Sequence, residues 1–94
     1  MLRIGGYERM VRHRGVGIEA VEINWRPGTR TPKHNHASKG WVWVLSGRVF
    51  EIRDGRKRYY QAGDSFVEVD CDQTHIVGND TSEAATAPYH RFRQ

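Results

Sequence analysis

The chain of 94 residues has room for one small domain with a modest core, because a domain of this size buries a smaller share of its surface than a larger one. Only 37% of residues are hydrophobic and mean hydropathy is -0.76, yet ten aromatics, among them Trp25, Trp41 and Trp43, exclude a disordered chain. The formal charge of +4 raises a polyanionic partner, but the basic residues are spread from Arg3 to Arg93, so a diffuse positive field is expected and no nucleic-acid site.

In chain order, residues 7 to 13 are predicted as a first strand, with Gly15-Val16-Gly17 as a turn. Ile18 to Trp25 is rich in β-formers and is bounded by Pro27-Gly28, which reads as a strand ending in a turn. Pro32 argues against a helix just before His34-Asn35-His36, since proline removes a donor and pushes its predecessor into an extended conformation. Trp41 to Leu45 is the most β-like run, and Ser46-Gly47 breaks it before Arg48 to Arg53 resumes the alternation. Asp54-Gly55 predicts a two-residue hairpin, because both central residues must reach positive φ, with Arg56 to Gln61 as the returning strand. Gly63-Asp64 makes another turn, Ser65 to Val69 another strand, and Thr74 to Val77 a further short one ending at Gly78-Asn79-Asp80.

Residues 81 to 94 contain no Val, Ile or Leu, so any last strand there is poorly specified, and Pro88 would confine it to an edge or end it. Short strands with frequent turn signals and no helical period predict a single all-β domain over residues 1–94, a sandwich or barrel. No apolar run approaches the roughly 20 residues of a membrane helix, and the N-terminal residues have no apolar core typical of a signal peptide. A soluble, cytoplasmic protein without membrane contact is expected. Cys71 is the single cysteine, so no internal disulfide forms; it fits a reducing compartment.

His34 and His36, one residue apart in an extended segment, project to the same side of a strand and place two nitrogen ligands within reach of one metal ion. The bland alternative is a polar strand end at the surface. His75 is a third candidate, which an antiparallel fold could return beside the pair. His13 and His90 have no partner at ligand spacing and read as surface residues.

This order of glycines and histidines resembles the cupin family, whose first motif is a glycine, five residues, His-x-His, three or four residues, a glutamate, six residues and a glycine. Gly28, His34, His36 and Gly47 fall in those places, while Gly40 stands where the glutamate would be. The second motif runs from a glycine through a proline-containing loop to a histidine and, four residues on, an asparagine. Gly63-Asp64 opens it and His75 to Asn79 closes it, with Val69-Asp70-Cys71-Asp72 in place of the loop. The resemblance covers about residues 18–80.

The resemblance implies a small antiparallel β-barrel of jelly-roll type holding one divalent transition metal (Fe, Ni, Zn, Mn or Cu) on His34, His36 and His75. Some relatives that oxidise thiols or β-diketones use three histidines alone. A three-imidazole site stays dipositive, which favours an anionic or chelating small-molecule substrate. Dioxygenase chemistry on a small organic acid, thiol or diketone is the leading expectation; a metal-dependent isomerase or lyase and a non-catalytic metal or ligand sensor are the alternatives. Gly40 reads as a turn residue that lets Trp41 begin its strand. Cys71 reads as a small, partly buried loop residue, or a thiolate near the metal, and Asp70 and Asp72 as solvated loop acids that could supply a carboxylate. The residues offer no preferred general base. Trp41, Trp43, Phe50, Tyr59, Tyr60 and Phe66 are expected to fill the barrel or a dimer face, and a homodimer is expected for a barrel this small.

Overall fold

The strand that positions the others is β2 (Ile18–Arg30), in a computed structural model that describes residues 2–15, 17–34, 40–68 and 74–92, with the side chains of Glu68 and Phe92 excepted. One edge of β2 pairs along most of its length with β1 (Arg3–Arg14). Its other edge is shared by three partners in turn: β9 (Tyr89–Phe92) at Ile18 to Val21, β8 (Ala85–Thr86) at Asn24 and Trp25, and β7 (His75–Asn79) at Thr29 and Arg30. Beyond β9 lie β3 (Gly40–Trp43) and β6 (Ser65–Glu68); beyond β7 lie β4 (Arg48–Arg53) and β5 (Arg56–Gln61). All these pairings are antiparallel, and the sheet path curls into a nearly closed barrel of jelly-roll type.

The path ends at β5 on one side and β6 on the other, so the barrel stays open along a seam between two strands that are consecutive in the chain. Across that seam the rings of Tyr60 and Phe66 stack at 4.4 Å. Inside, Val21, Trp25, Val42, Val44, Val49, Val77 and Tyr89 form the buried cluster with Phe66, and Tyr7 packs on Trp25 at 4.6 Å. The strand period of two explains the selection: on β2, Glu19 and Val21 point inward while Ile18 and Ala20 do not, as side chains alternate across a strand.

Three expectations need correcting. β2 does not stop at Pro27-Gly28; it runs on to Arg30, because Gly28 takes φ 74° and the opposite strand absorbs the irregularity with register shifts between Arg3 and Tyr7. No ladder partner falls opposite Pro27, so its missing N–H costs nothing there. The last strand is interior: β9 lies between β2 and β3. Pro88 falls in the break after β8, where its carbonyl accepts from Trp43 N at 3.0 Å and no donor is needed from it. Of the six aromatics expected to fill the barrel or a dimer face, Phe50 is fully buried under the Lys57 ammonium, 4.6 Å from its ring, and Phe66 is buried in the main cluster, while Trp43 and Tyr59 are exposed. His90 is half-buried and stacks on Trp41 at 5.1 Å, with 9° between the rings. The Asp54-Gly55 hairpin forms as read, with φ of 53° and 73°. Among the described residues no helix is long and apolar enough to cross a membrane.

The β1–β2–β9 junction carries a buried acid. Glu19 is 1% exposed and meets Arg14 Nε at 2.8 Å and Arg91 at 2.9 Å. Burial pushes its carboxyl up, but the hydrogen bond from Arg14 and the charge of Arg91 outweigh that and hold it below the ordinary 4.5. Asp80 is held low in the same way: burial raises it, but the hydrogen bonds from Lys57 at 2.7 Å and Tyr59 at 2.8 Å prevail. A carboxyl whose pKa is depressed on folding stabilises the fold above its unfolded pKa and loses that contribution as pH falls through the folded value. Thermal stability is therefore expected to be level above about pH 5 and to fall below about pH 4, and Glu19→Gln to lower Tm at pH 7 while flattening its acid dependence. Melting curves followed by circular dichroism between pH 3 and 8 check both.

Candidate metal centre

Two residues far apart in the chain are locked together by the backbone. His34 N donates to His75 O at 3.0 Å and His75 N donates to His34 O at 2.7 Å, a reciprocal antiparallel pair. Residues directly opposite in such a pair send their side chains to the same face, and the imidazole centroids stand 4.6 Å apart at 54°. His34 and His75 thus lie side by side. His36 lies outside the described residues, as do Asp70, Cys71 and Asp72.

Each ring is oriented through Nδ1. His34 Nδ1 lies 2.8 Å from the carbonyl oxygen of Pro32, which can only accept, so the proton sits on Nδ1. His75 is 3% exposed, and its Nδ1 lies 2.8 Å from Glu51 Oε2. In both rings this leaves Nε2 as the basic nitrogen. Hydrogen bonding of the distal nitrogen to an oxygen is the usual orientation of a metal-ligating histidine. The donor chemistry therefore fits a transition metal. Among the described residues no group of three or more His, Cys, Asp or Glu side chains forms a metal cluster by itself.

Glu51 is the buried acid beside His75 that the sequence did not single out. It is 4% exposed on β4, next to Val49 on the inward face, and pairs across to Val77 of β7. Its Oε2 also accepts from Arg53 Nη2 at 2.5 Å, and the same guanidinium nitrogen donates to the carbonyl of Val67 at 2.7 Å. One carboxylate thus joins Arg53 to His75, and Arg53 ties β4 to the backbone of β6 beside the open seam. The available signal was an acid inside the apolar run Val49-Phe50-Glu51-Ile52, two residues from the inward Val49.

Gly40 owes its identity to packing. On β3 it lies between Arg91 of β9 and Glu68 of β6, and a Cβ there would run into the carbonyl oxygen of His90 and stand 2.8 Å from Tyr89 Cε2. A glutamate at this position has no space without moving β9. The expected role as a turn residue is replaced by close strand contact. Asn79 is structural too: fully buried, its amide donates to Trp25 O and Glu83 O, and its Oδ1 accepts from Thr81, pinning the turn after β7.

A cavity of about 680 Å³ opens at the β5–β6 seam and reaches the histidine pair only through Glu51, whereas His75 itself lines a separate cavity of about 260 Å³ with Lys33, Ile52 and Thr74. In the larger cavity Glu51 and Arg53 lie on the β4 side, Arg56, Arg58 and Tyr60 on its β5 side, and Phe66 and Val67 on its β6 side. Its size suits a small organic molecule.

A small antiparallel jelly-roll barrel with a buried histidine backbone-paired to a second, half-buried one defines the class, and the comparisons name the family. The Cupin domain family model matches residues 21–88, and the chain belongs to that family. The fold is similar to that of a Cupin 2 conserved barrel domain protein from Salinispora arenicola (TM-score 0.83, 20% identity, 99% of this chain and 82% of that one). It is similar also to a cupin domain from Bordetella pertussis (0.79, 18%, 100% and 99%). An RmlC-like cupin from Shewanella frigidimarina gives 0.82 at 23% identity, covering 96% of this chain and 78% of that one. Among curated proteins none matches the sequence.

Proposed function

We propose that this cupin binds one divalent transition metal through His34, His75 and His36 and acts as a dioxygenase-like oxidoreductase on a small organic substrate. The observation that carries the reading is the paired imidazoles 4.6 Å apart, each with Nδ1 engaged by an oxygen so that both present Nε2 as the basic nitrogen. When bound, the metal supplies Lewis acidity and redox capacity. The chain's own residues do the rest: Glu51 fixes the tautomer of His75, Arg53 holds Glu51 in place, and the stacked Tyr60 and Phe66 give the cavity at the seam an apolar wall. Glycine at position 40 withholds a carboxylate ligand, so the charge at the centre stays high and a substrate that chelates or carries negative charge is favoured.

Protein purified without chelator is expected to carry stoichiometric metal by elemental analysis, and His34→Ala to lose most of it together with thermal stability. Iron-loaded protein is expected to consume oxygen with at least one member of a panel of small organic acids, thiols and β-diketones. Absence of oxygen uptake across the panel would leave a metal-binding but non-oxygenase cupin. Failure to retain or take up Fe, Ni or Zn would remove the metal reading altogether.

A further inference from the structure

Three arginines line the cavity at the seam, and they are not equivalent. Arg53 is committed, donating to Glu51 and to the carbonyl of Val67. Arg56 and Arg58 stand opposite Arg53 and Glu51 in the β4–β5 register, on the same cavity-facing side. Glu51 is the natural cross-strand partner of Arg58, but its Oε2 is taken by Arg53 and His75. Asp54, the other acid lining the cavity, sits in the hairpin turn and forms no ion pair with either arginine. Among the described residues Arg56 and Arg58 therefore have no counter-charge. Arg12, Arg14, Arg26 and Arg91 are each paired with a glutamate; Arg3, Arg9 and Arg30 form no ion pair among the described residues either, but they do not line the cavity as Arg56 and Arg58 do.

We infer that Arg56 and Arg58 form an oxyanion-binding subsite, which takes the carboxylate or phosphate of the substrate at the open seam. Guanidinium groups present forked donors that match such oxyanions. Two of them on one strand face, two residues apart, bracket a single anionic group across the cavity mouth. From there the cavity runs to Glu51, so a substrate anchored by its anion extends its other end to the carboxylate that orients His75. Tyr60, on the same face of β5 and stacked on Phe66, provides the apolar wall beside the anion. The inference deepens the proposed function by naming the substrate class, and its test reads binding without turnover.

Isothermal titration calorimetry with the protein as purified, using inorganic phosphate and succinate as separate probes, tests the subsite. At least one probe is expected to bind, and the R56A/R58A double variant to bind it at least tenfold more weakly. Arg26→Ala removes one positive charge on the β1–β2 side and is the control for the general field; it is expected to leave binding within twofold. The preferred probe separates a phosphorylated substrate from a carboxylic acid. Metal content is measured in the same samples and is expected to be unchanged in R56A/R58A, so failure of the metal reading and failure of the subsite register independently. No binding of either probe, or an equal loss in Arg26→Ala, overturns the inference. Far-UV circular dichroism confirms that the variants fold, as the substituted side chains are exposed.

Discussion

Replacing Gly40 by alanine is expected to cost about 2–3 kcal/mol of stability, a fall in Tm of roughly 10 °C for a chain of this size. The reason is contact with backbone. A Cβ at this position meets the His90 carbonyl, the Tyr89 ring at 2.8 Å and Arg91 Cα at 3.1 Å, all on β9, and β9 is held on its other edge by β2. A main chain clamped between two strands cannot give way as a flexible side chain would. The φ of Gly40 lies outside the left-handed region, so strain plays no part. Gly55→Ala is the instructive contrast: it has φ +73° and open space around the added methyl, and should lose only about 1 kcal/mol through backbone strain. Gly40→Glu is expected to destabilise at least as much as Gly40→Ala and to leave the metal content of the folded fraction unchanged. Thermal melts with metal analysis of the folded protein check all three; a stable Gly40→Glu variant with tighter metal binding would contradict the packing account.

The second large effect is expected at Glu51. Removing its carboxylate leaves the buried His75 Nδ1 and the mostly buried Arg53 without their shared acceptor. Truncating one partner of a buried charged cluster costs about 3 kcal/mol, because the remaining polar groups stay desolvated and unpaired. Glu51→Ala should therefore approach that loss. Glu51→Gln keeps an oxygen for His75 and should cost less, while weakening metal affinity about tenfold through the looser hold on the imidazole. Denaturant unfolding gives the first quantity and metal competition with a chromophoric chelator the second. An affinity in Glu51→Gln equal to that of the unaltered protein would show that the carboxylate serves stability alone.

Local chemistry made much of the fold legible. Pro-Gly, Asp-Gly and Gly-Asp steps punctuate short runs of β-branched and aromatic residues, and β3 to β7 fall close to the predicted runs. The Asp54-Gly55 hairpin was readable because its φ requirement is local. The last strands were harder, since residues 81–94 hold no Val, Ile or Leu and are interrupted by Pro88, and β8 and β9 are fixed by lying against β2 and β3. Pro27 and Pro88 misled for a related reason: whether a missing N–H matters depends on what lies opposite, which is not a local property.

The candidate site divides along the same line. Sequence alone picked out the histidines as candidates, because a His-x-His spacing in an extended segment and a later histidine before Gly78-Asn79 are patterns of residue type and separation. Only the tertiary structure decided that His34 and His75 form a reciprocal backbone pair, that Glu51 is the acid beside them, and that Gly40 is reserved for the close passage of β9. It also decided that Arg56 and Arg58 share a cavity with Glu51 at the open seam. Those are facts of strand register and of which side chain reaches a partner first. They arise only when segments distant in the chain are brought within hydrogen-bonding distance.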